Sequence, residues 1–319
     1  MLRSRAILTN HDLAEMVDTD DSWILQRTGI SERRLLEKGK GTSDMAVEAV
    51  KRLCQNTGIE PASIDLLIVA TVTPDMFFPS TACLVQDKLG IPKTWGFDLS
   101  AACCGFVFGL SVGHAFVAAG THSRVVVVGA DKMSSIIDYE DRATCVIFGD
   151  GAGAVLLEPA KDKSHSILDF YHEVEGAGAP CLNMPAGGSL LPPSCDTVKK
   201  RLHYVKQDGP AVFKYATRKM EEISRVILER NEYSPADVGL LIPHQANIRI
   251  IRGTAERLGL RDEQVVINIH KYGNTTAATI PLAMQDAVAE KRLKKGDLVL
   301  LASVGAGFTV GASLLRWAY

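Results

Sequence analysis

The feature of this sequence that most constrains its fold is one order of strands and helices that occurs twice, about 170 residues apart. In the first copy, apolar runs at residues 64–70 and 124–129 predict buried strands, and the sequence between them predicts a long helix at residues 102–119. Strands that alternate with helices form parallel sheets whose faces are covered by the helices. The first copy is therefore predicted to be an α/β unit.

The second copy repeats this order with elements of similar length. Its strands are predicted at residues 238–242, 265–269 and 297–302, and its long helix at residues 275–290. Matching order and matching lengths are the mark of a duplicated unit. We therefore divide the chain into two halves, residues 1–160 and residues 161–319.

Length, composition and charge are those of a globular protein. The 319 residues suffice for two domains or one large α/β unit. Hydrophobic residues make up 46% of the chain and charged residues 23%, which excludes collagen-like, coiled-coil and disordered chains. A formal net charge of −2 provides no global basic field, so no nucleic-acid partner is expected. Attraction to an acidic partner must come from a local patch.

The cysteine content indicates a reducing compartment. The seven cysteines are odd in number and form no C-x-x-C pair, which argues against a secreted disulfide framework and against a zinc site. Residues 1–8 lack the apolar segment of a signal peptide. We therefore expect a cytoplasmic protein without a bound metal.

One stretch without charged residues, residues 99–123, is long enough to cross a bilayer. It is rich in glycine, serine and cysteine, and it has neither a basic flank nor an aromatic belt. We therefore expect a helix buried on all sides in the core of the protein, and no membrane partner.

Three side chains at the ends of predicted strands are candidates for catalysis. Cys103 and Asn274 are predicted to occupy the same place in the two halves, since each follows a strand and opens an uncharged helix. His244 lies at the carboxyl end of the strand at residues 238–242, roughly where the first half has Thr73. Pseudo-twofold packing brings equivalent strand ends together, so we expect the cysteine, histidine and asparagine to converge.

Each of these candidates also has a simpler interpretation. A helix N-terminus favours a thiolate at Cys103, but a cysteine among small residues is commonly just buried, as we assume for Cys104. His244 is a hydrogen-bond donor or an acid/base, or else a satisfied core histidine. Asn274 is a reactive-site amide or a helix N-cap. The Gly-Ala-Gly segment at residues 305–307 either brings the backbone close to a ligand or forms a simple tight turn.

Five short motifs lie in order along the chain and together span nearly its whole length. They are MVDT at residues 16–19 with Trp23, Arg27, Thr28, Gly29 and Ile30, FDLSAACCGF at residues 97–106, FGDGAGA at residues 148–154, PHQAN at residues 243–247 and YGNTTA at residues 272–277. In this order they resemble the motifs of the β-ketoacyl-acyl-carrier-protein synthase III family. The combination is highly specific, whereas no single motif is.

The resemblance implies a thiolase-like fold of five αβαβα layers, built from two duplicated halves with mixed, largely parallel sheets, usually as a homodimer. It also implies a two-step Claisen condensation that initiates type II fatty acid synthesis. An acetyl or short acyl group passes from coenzyme A to a cysteine, and malonyl-acyl-carrier protein then loses CO₂ and attacks the thioester. No cofactor is expected beyond these coenzyme A substrates.

The resemblance also assigns roles to individual residues. Cys103 would be the nucleophile, and the backbone N–H groups of Cys103 and Ala306 would form an oxyanion hole. His244 and Asn274 would donate hydrogen bonds to the malonyl thioester oxygen. Coenzyme A would be bound by Trp23, Arg27, Thr28, Arg142 and Asn247. The acidic carrier protein would dock on Lys214, Arg249 and Arg257, and the acyl pocket would be lined by Phe148 and by Phe78 from the neighbouring protomer.

The sequence departs from the family pattern at several positions. The strand with a Gly-x-Gly turn that usually precedes residues 6–10 is absent, which predicts a shortened first sheet. Val304 and Ala306 replace a usual phenylalanine and glycine, and Glu256 replaces a basic docking residue. The loop at residues 181–203 is longer than the common form. The acyl-chain preference therefore stays open.

Three other functions are compatible with parts of this pattern. A related acyltransferase or condensing enzyme of a secondary-metabolite pathway often alters the histidine or the asparagine. A Cys-His-Asn hydrolase must admit water to the acyl-enzyme, and a non-catalytic partner subunit usually replaces the cysteine. Because Cys103, His244 and Asn274 are all present, the condensing enzyme is favoured.

Overall fold

A computed structural model describes residues 5–160 and 166–319. The strands are β1 (Arg5–Thr9), β2 (Glu32–Leu36), β3 (Leu66–Ala70), β4 (Trp95–Leu99), β5 (Val125–Asp131), β6 (Gly151–Leu157), β7 (Ile167–Val174), β8 (Leu182–Asn183), β9 (Lys206–Gln207), β10 (Leu240–Pro243), β11 (Leu298–Gly305) and β12 (Thr309–Arg316). The α-helices are α1 (Asn10–Ala14), α2 (Asp21–Thr28), α3 (Thr42–Thr57), α4 (Thr81–Leu89), α5 (Gly105–Ala118), α6 (Arg142–Cys145), α7 (Cys195–Lys199), α8 (Gly209–Arg230), α9 (Ile248–Leu258), α10 (Ile269–Tyr272) and α11 (Thr279–Ala289).

The main body of the protein has five layers. The strands lie in the order β4-β3-β5-β6 in one sheet and β10-β11-β12-β7 in the other. Helices α5 and α11 lie between the sheets, since α5 contacts β5 and β12 while α11 contacts β6 and β10. Helices α3 and α4 cover the outer face of the first sheet, and α8, with α9 packed on it, covers that of the second. The predicted αβαβα architecture is confirmed.

The registers of the two sheets show the duplication directly. Strands β3 and β5 are parallel with Leu66 opposite Val125, and β10 and β11 are parallel with Leu240 opposite Val299. One constant shift along the chain therefore carries the first pair onto the second. On their other side, β5 and β11 each pair antiparallel with the next strand. Strands β3, β5, β10 and β11 are all buried, as their apolar sequences predict.

The predicted strand at residues 265–269 is wrong, because the structure retains only an isolated bridge at Val265 before α10 begins. The buried side chain of Gln245 takes the place of a strand partner here. Its Nε2 donates to Val266 O at 3.0 Å, and its Oε1 accepts from Asn268 N at 3.0 Å. A side-chain amide thus satisfies backbone groups that a longer ladder would otherwise pair.

The uncharged stretch at residues 99–123 contains the end of β4, a 3₁₀ turn and α5. The first half of α5 is buried, with Phe106 and Leu110 in the core between the sheets, whereas its last turn is partly exposed. The prediction of a helix buried on all sides therefore holds only for the N-terminal half of α5. No helix in the described residues has the length and apolar character needed to cross a membrane.

Two predictions concern regions that border residues outside the described part of the chain. The predicted boundary between the halves, at residues 160 and 161, adjoins residues 161–165, which lie outside the described part, as do residues 1–4 of the predicted N-terminal segment. From its first described residue onward, β1 pairs antiparallel with β2. This separate two-stranded sheet occupies the region for which the sequence predicts a shortened first sheet.

Candidate active site

Both central helices are preceded by a strained 3₁₀ turn. Ala102 begins the turn before α5 with φ +47°, and Thr276 begins the turn before α11 with φ +48°, a left-handed conformation that residues with a Cβ rarely adopt. The shift that superimposes the two sheets carries Ala102 onto Thr276 and Cys103 onto Ala277. The predicted equivalence of Cys103 and Asn274 is therefore wrong, because Asn274 precedes its turn whereas Cys103 lies within one.

Cys103 is almost completely buried, with 6% of its surface exposed. Ser303 on β11 donates to its carbonyl oxygen at 2.9 Å, which holds the turn against the second half of the chain. Burial raises the pKa of the Cys103 thiol well above its usual range, and the neighbouring Cys104 and Asp131 raise it further. The thiolate expected at a helix N-terminus is therefore opposed by burial.

Cys104 has the structural role that its sequence context suggests. Its Sγ lies 3.3 Å from Ser303 O and 3.2 Å from Thr309 O, so that it links the turn to both strands of the β11–β12 hairpin. Burial raises the pKa of this thiol to about 11. The Sγ of Cys104 thus takes part in hydrogen bonds that hold the fold together.

His244 directly follows β10 and is 1% exposed. Its backbone N–H donates to Ala302 O at 2.8 Å, and its ring Nδ1 lies 2.7 Å from Thr279 Oγ1. Burial lowers the pKa of His244 to about 3, so the imidazole is neutral at physiological pH and Nε2 remains available to a ligand. The register matches His244 with Ala70, and the rough equivalence with Thr73 is wrong, because strand pairing rather than motif spacing sets the match.

Asn274 is held by strand-like backbone hydrogen bonds and does not cap the long helix. Its N–H donates to Ile147 O at 2.9 Å, and its carbonyl accepts from Gly149 N at 3.0 Å. Its side-chain Oδ1 accepts from Thr276 N at 2.9 Å. The helix α11 begins only at Thr279, so the N-cap interpretation does not apply to it. With Oδ1 engaged, the Nδ2 group is the donor that remains for a ligand.

The structure brings the segments that carry these three side chains together. The turn that contains Cys103 contacts both β11 and the turn that follows Asn274. His244 is hydrogen-bonded to β11 and to the first residue of α11. All three side chains are buried. A thiol, a neutral imidazole and an amide on segments in contact suit chemistry in which developing negative charge on a thioester oxygen is met by hydrogen-bond donors.

Strand β11 ends at Gly305, directly against the backbone of Cys103. A Cβ at Gly305 would lie 2.8 Å from Cys103 N, closer than Cβ contacts in real proteins. The turn uses the N–H groups of Cys104 and Gly105 for its own hydrogen bonds and leaves that of Cys103 out of them. The close backbone approach predicted at residues 305–307 is thus present, and the oxyanion hole of Cys103 and Ala306 remains a prediction.

Most of the residues predicted to bind coenzyme A lie near one another. The Cζ of Arg27 lies 5.0 Å and that of Arg142 lies 5.1 Å from the ring centroid of Trp23. Asn247 caps α9, and its Nδ2 donates to Arg27 O at 2.8 Å. Thr28 is buried, and its hydroxyl donates within α2 at 2.7 Å. Trp23, Arg27, Arg142 and Asn247 thus form a group, whereas the Thr28 hydroxyl is already engaged.

The residues predicted to dock a carrier protein lie on the outer layer of the second half. Lys214 on α8 and Arg249 and Arg257 on α9 are exposed, and these two helices pack on each other. The guanidinium of Arg249 lies 4.9 Å from the ring centroid of Phe213. Glu256, also exposed on α9, lowers the net positive charge of this surface.

The two residues predicted for the acyl pocket lie in different surroundings. Phe148 is 5% exposed, and its backbone forms a bridge with Asn274. Phe78 is 85% exposed and its neighbour Phe77 is 81% exposed. Phe78 therefore lines no pocket within its own chain, and its entry into the pocket of a second protomer remains a prediction.

The sequence analysis missed two buried polar residues beside the site. Asp131 ends β5, and its Oδ2 accepts from Ala277 N at 3.2 Å and from the Thr276 hydroxyl. Thr279 forms the hydrogen bond to His244 described above. The available signals were an aspartate at the end of an otherwise apolar strand and a third threonine after Asn274. Neither pattern distinguishes a buried side chain from an exposed one.

Two family models match the chain. One, described as 3-oxoacyl-[acyl-carrier-protein] synthase III, matches residues 97–176, and the other, described as the C-terminal part of the same enzyme, matches residues 228–317. These matches contain Cys103, His244 and Asn274.

Relatives and solved structures match the chain over nearly its full length. The β-ketoacyl-[acyl-carrier-protein] synthase III of Koribacter versatilis is 59% identical over 314 residues, which are 98% of this chain and 94% of that protein. The crystal structure of the Aquifex aeolicus 3-oxoacyl-[acyl-carrier-protein] synthase III is 43% identical, with TM-score 0.90, and the match covers 98% of this chain and 96% of that one. A priming β-ketosynthase of a polyketide pathway is 31% identical, with TM-score 0.91, over 99% of this chain and 93% of that one.

Proposed function

The chain belongs to the 3-oxoacyl-[acyl-carrier-protein] synthase III family, and we propose that Cys103, His244 and Asn274 perform its condensing reaction. The enzyme is a β-ketoacyl-acyl-carrier-protein synthase III, an acyltransferase that initiates fatty acid synthesis. The observation that supports the three residues is their placement. All three side chains are buried, the turn that contains Cys103 contacts both β11 and the turn that follows Asn274, and His244 is hydrogen-bonded to β11.

In the first half-reaction, the Sγ of Cys103 attacks the carbonyl carbon of acetyl-CoA or a short acyl-CoA. A new C–S bond forms, the C–S bond to coenzyme A breaks, and the thiol proton passes to the departing sulfur. The backbone N–H groups of Cys103 and Ala306 stabilise the oxyanion that forms between these events. Gly305 supports this step because it places no side chain in front of Cys103 N.

In the second half-reaction, malonyl-acyl-carrier protein loses CO₂ and its electron pair moves into an enolate. The negative charge falls on the thioester oxygen, where the Nε2–H of His244 and the Nδ2–H of Asn274 donate hydrogen bonds. The enolate carbon then attacks the acyl group on Cys103 and expels the cysteine sulfur, which yields 3-oxoacyl-acyl-carrier protein. The neutral state of His244 suits a hydrogen-bond donor and not an acid.

Two surfaces of the chain suit the two substrates. Two arginines close to an indole ring favour an adenine nucleotide with its phosphates, so the group of Trp23, Arg27 and Arg142 binds coenzyme A. The exposed basic residues of α8 and α9 attract the acidic carrier protein. No cofactor beyond the coenzyme A substrates is part of this proposal.

The enzyme acts as a homodimer in this proposal. Strand β4 lies at the edge of its sheet and pairs only with β3 in the described residues, which leaves its outer edge open to a strand from a second copy. Phe77 and Phe78 are exposed in the segment between β3 and α4. Apolar side chains as exposed as these gain stability by entering a second protomer.

Mass spectrometry of each half-reaction tests the catalytic assignment. Incubation with acetyl-CoA should add one acetyl group, and peptide mapping should place it on Cys103. His244→Ala and Asn274→Ala should still form the acetyl-enzyme but should release CO₂ from malonyl-acyl-carrier protein about 10²–10³ times more slowly, the usual cost of losing one such donor. A Cys104→Ser variant is the matched control and should be acetylated like the native enzyme.

Two outcomes would contradict the assignment. A stable acetyl group on Cys104 or Cys145 would exclude Cys103 as the nucleophile. If folded His244→Ala and Asn274→Ala enzymes both fail to be acetylated, His244 acts as a base for the thiol, and a Cys-His-Asn hydrolase becomes the better description.

A further inference from the structure

Thr279 is the first residue of α11, and its side chain is buried beside His244. It is 2% exposed. Its Oγ1 lies 2.7 Å from His244 Nδ1 and 3.1 Å from Thr276 O. Among the described residues, His244 Nδ1 forms no hydrogen bond other than this one. The state of the imidazole therefore depends on where the single hydroxyl proton of Thr279 points.

The hydroxyl proton has two alternative positions: it is donated to Nδ1, or it is donated to Thr276 O while the hydroxyl oxygen accepts from a protonated Nδ1. Thr276 O already accepts the backbone N–H of Thr279, so it does not need the hydroxyl proton. His244 Nδ1 is a buried atom whose one partner is that hydroxyl, and its contact is the shorter of the two. The donor that Thr276 O already has and the shorter contact to Nδ1 favour the arrangement in which the hydroxyl donates to Nδ1. In a neutral imidazole, the ring proton must then lie on Nε2.

The first half of the chain lacks this pair altogether. The shift between the sheets matches His244 with Ala70 and Thr279 with Gly105. A Cβ at Gly105 would lie 3.1 Å from the Cβ of Ala70, so neither position has room for more than a small side chain. The imidazole and the hydroxyl thus occur together in the second half and are both absent from the first, as expected of two groups that work as a unit.

We propose that Thr279 is a positioning residue that holds His244 in the tautomer with its proton on Nε2. This proposal rests on the proposed function, in which Nε2–H donates to the malonyl thioester oxygen. Without the hydroxyl, Nδ1 keeps the proton at least part of the time, and Nε2 then presents a lone pair to an oxygen that gains negative charge. Thr279 therefore matters for decarboxylation and not for acylation of Cys103.

A threonine-to-valine substitution removes the hydroxyl and keeps the branched shape. Thr279→Val should be acetylated at the native rate but should release CO₂ from malonyl-acyl-carrier protein about 10-fold to 100-fold more slowly, with KM nearly unchanged, as is usual when a partner that orients an imidazole is lost. Thr279→Ser, which restores the hydroxyl, should return CO₂ release to near the native rate. Thr254→Val is the matched control, because the Thr254 hydroxyl is buried in α9 and has no partner in the described residues.

A spectroscopic measurement keeps the proposal falsifiable even if the valine variant does not fold. ¹⁵N NMR of the histidine-labelled native enzyme, assigned with His244→Ala, should show the proton of His244 on Nε2. A proton on Nδ1 in the native enzyme, or native CO₂ release by folded Thr279→Val, would overturn the proposal. If both Thr279→Val and His244→Ala release CO₂ at the native rate, the proposed function of His244 fails as well. If Thr279→Val releases CO₂ at the native rate and His244→Ala does not, only the role of Thr279 fails.

Discussion

The two halves of the chain end their central strands in opposite ways. In the first half, β5 ends at Asp131, whose carboxylate accepts the N–H of Ala277 in the turn before α11. In the second half, β11 ends at the equivalent Gly305, which faces the N–H of Cys103 in the turn before α5. Equivalent strand ends thus lie against equivalent helix starts in the two halves. The last residue of the strand is an aspartate in β5 and a glycine in β11.

This difference explains why the site in front of Cys103 is open and the equivalent site in front of Ala277 is closed. The start of a helix presents free N–H groups that favour a negatively charged atom. At Ala277 the acceptor belongs to the protein itself, because a carboxyl oxygen of Asp131 lies in front of the amide. At Cys103, Gly305 places no side chain in front of the amide, and in the proposed function a substrate oxygen binds there. The duplicated fold therefore has one closed site and one open site, and the proposed nucleophile, Cys103, lies at the open one.

The largest expected effect comes from closing the open site with a methyl group. The added Cβ of Gly305→Ala would lie 2.8 Å from Cys103 N, and backbone atoms cannot move away as a flexible side chain can. We expect acetylation of Cys103 to fall by about 10³-fold or more, since both the nucleophile and an oxyanion donor are displaced. Acetyl-enzyme formation followed by mass spectrometry measures this rate.

Gly253→Ala is the matched control, because a Cβ at Gly253 would meet only Thr217 Cγ2 at 3.6 Å, an ordinary contact. This variant should be acetylated like the native enzyme. Normal acetylation of Gly305→Ala would show that the space in front of Cys103 N is not part of the reaction.

The second prediction removes the acid from the closed site. Asp131→Ala leaves the N–H groups of Val72 and Ala277 without their acceptor and removes the acceptor of the Thr276 hydroxyl. Since each unsatisfied buried group typically costs 1–3 kcal/mol, we expect the free energy of unfolding in urea to fall by about 3 kcal/mol or more. Asp87→Ala, at an exposed position of α4, should change it by less than about 0.5 kcal/mol. An equal loss in both variants would show that Asp131 does not stabilise the closed site.

The third prediction compares the pH dependence of the two half-reactions. Burial raises the pKa of Cys103, so the thiol is protonated at neutral pH and the acetylation rate should rise up to about tenfold per pH unit as the thiolate fraction grows. Burial lowers the pKa of His244 to about 3, so CO₂ release by pre-acetylated enzyme should stay level between about pH 5 and pH 8. Quench-flow mass spectrometry and labelled CO₂ release measure the two profiles. A loss of CO₂ release below about pH 6.5 would indicate an imidazole that protonates.

The architecture was predictable from the sequence because it depends on repeated apolar patterns. The runs at β3, β5, β10 and β11 are long enough to identify buried strands without any knowledge of their neighbours. The positions of His244 after β10 and of Cys103 after β4 were also visible, whereas the strand predicted before Asn274 is wrong; the structure nevertheless brings the three segments together. What these patterns do not contain is the exact register between the halves, which is why Cys103 was matched with Asn274.

The errors come from side chains that replace backbone partners. Residues 265–269 have the apolar pattern of a strand, yet the amide of Gln245 takes the hydrogen bonds of the ladder. The roles of Asp131 and Thr279 likewise depend on partners that are distant in the sequence, Ala277 for Asp131 and His244 for Thr279. Local patterns do not show such contacts, because an aspartate or a threonine is equally common on a surface.

The smallest expected effect compares the outer helix layers of the two halves. Arg249 lies exposed on α9 in the second half, and Arg52 lies exposed on α3 in the first. Since an exposed charge acts mainly through long-range attraction, Arg249→Glu should raise KM for malonyl-acyl-carrier protein roughly threefold to fivefold at low salt and leave acetylation by acetyl-CoA nearly intact. Arg52→Glu makes the same charge change on the other outer layer and should leave both activities unchanged.

The effect of Arg249→Glu should disappear as the salt concentration approaches about 1 M, where the screening length is about 3 Å. Equal losses in the two variants would show that net charge matters and that α9 is not the docking surface, whereas loss of acetylation in Arg249→Glu alone would place Arg249 at the coenzyme A site.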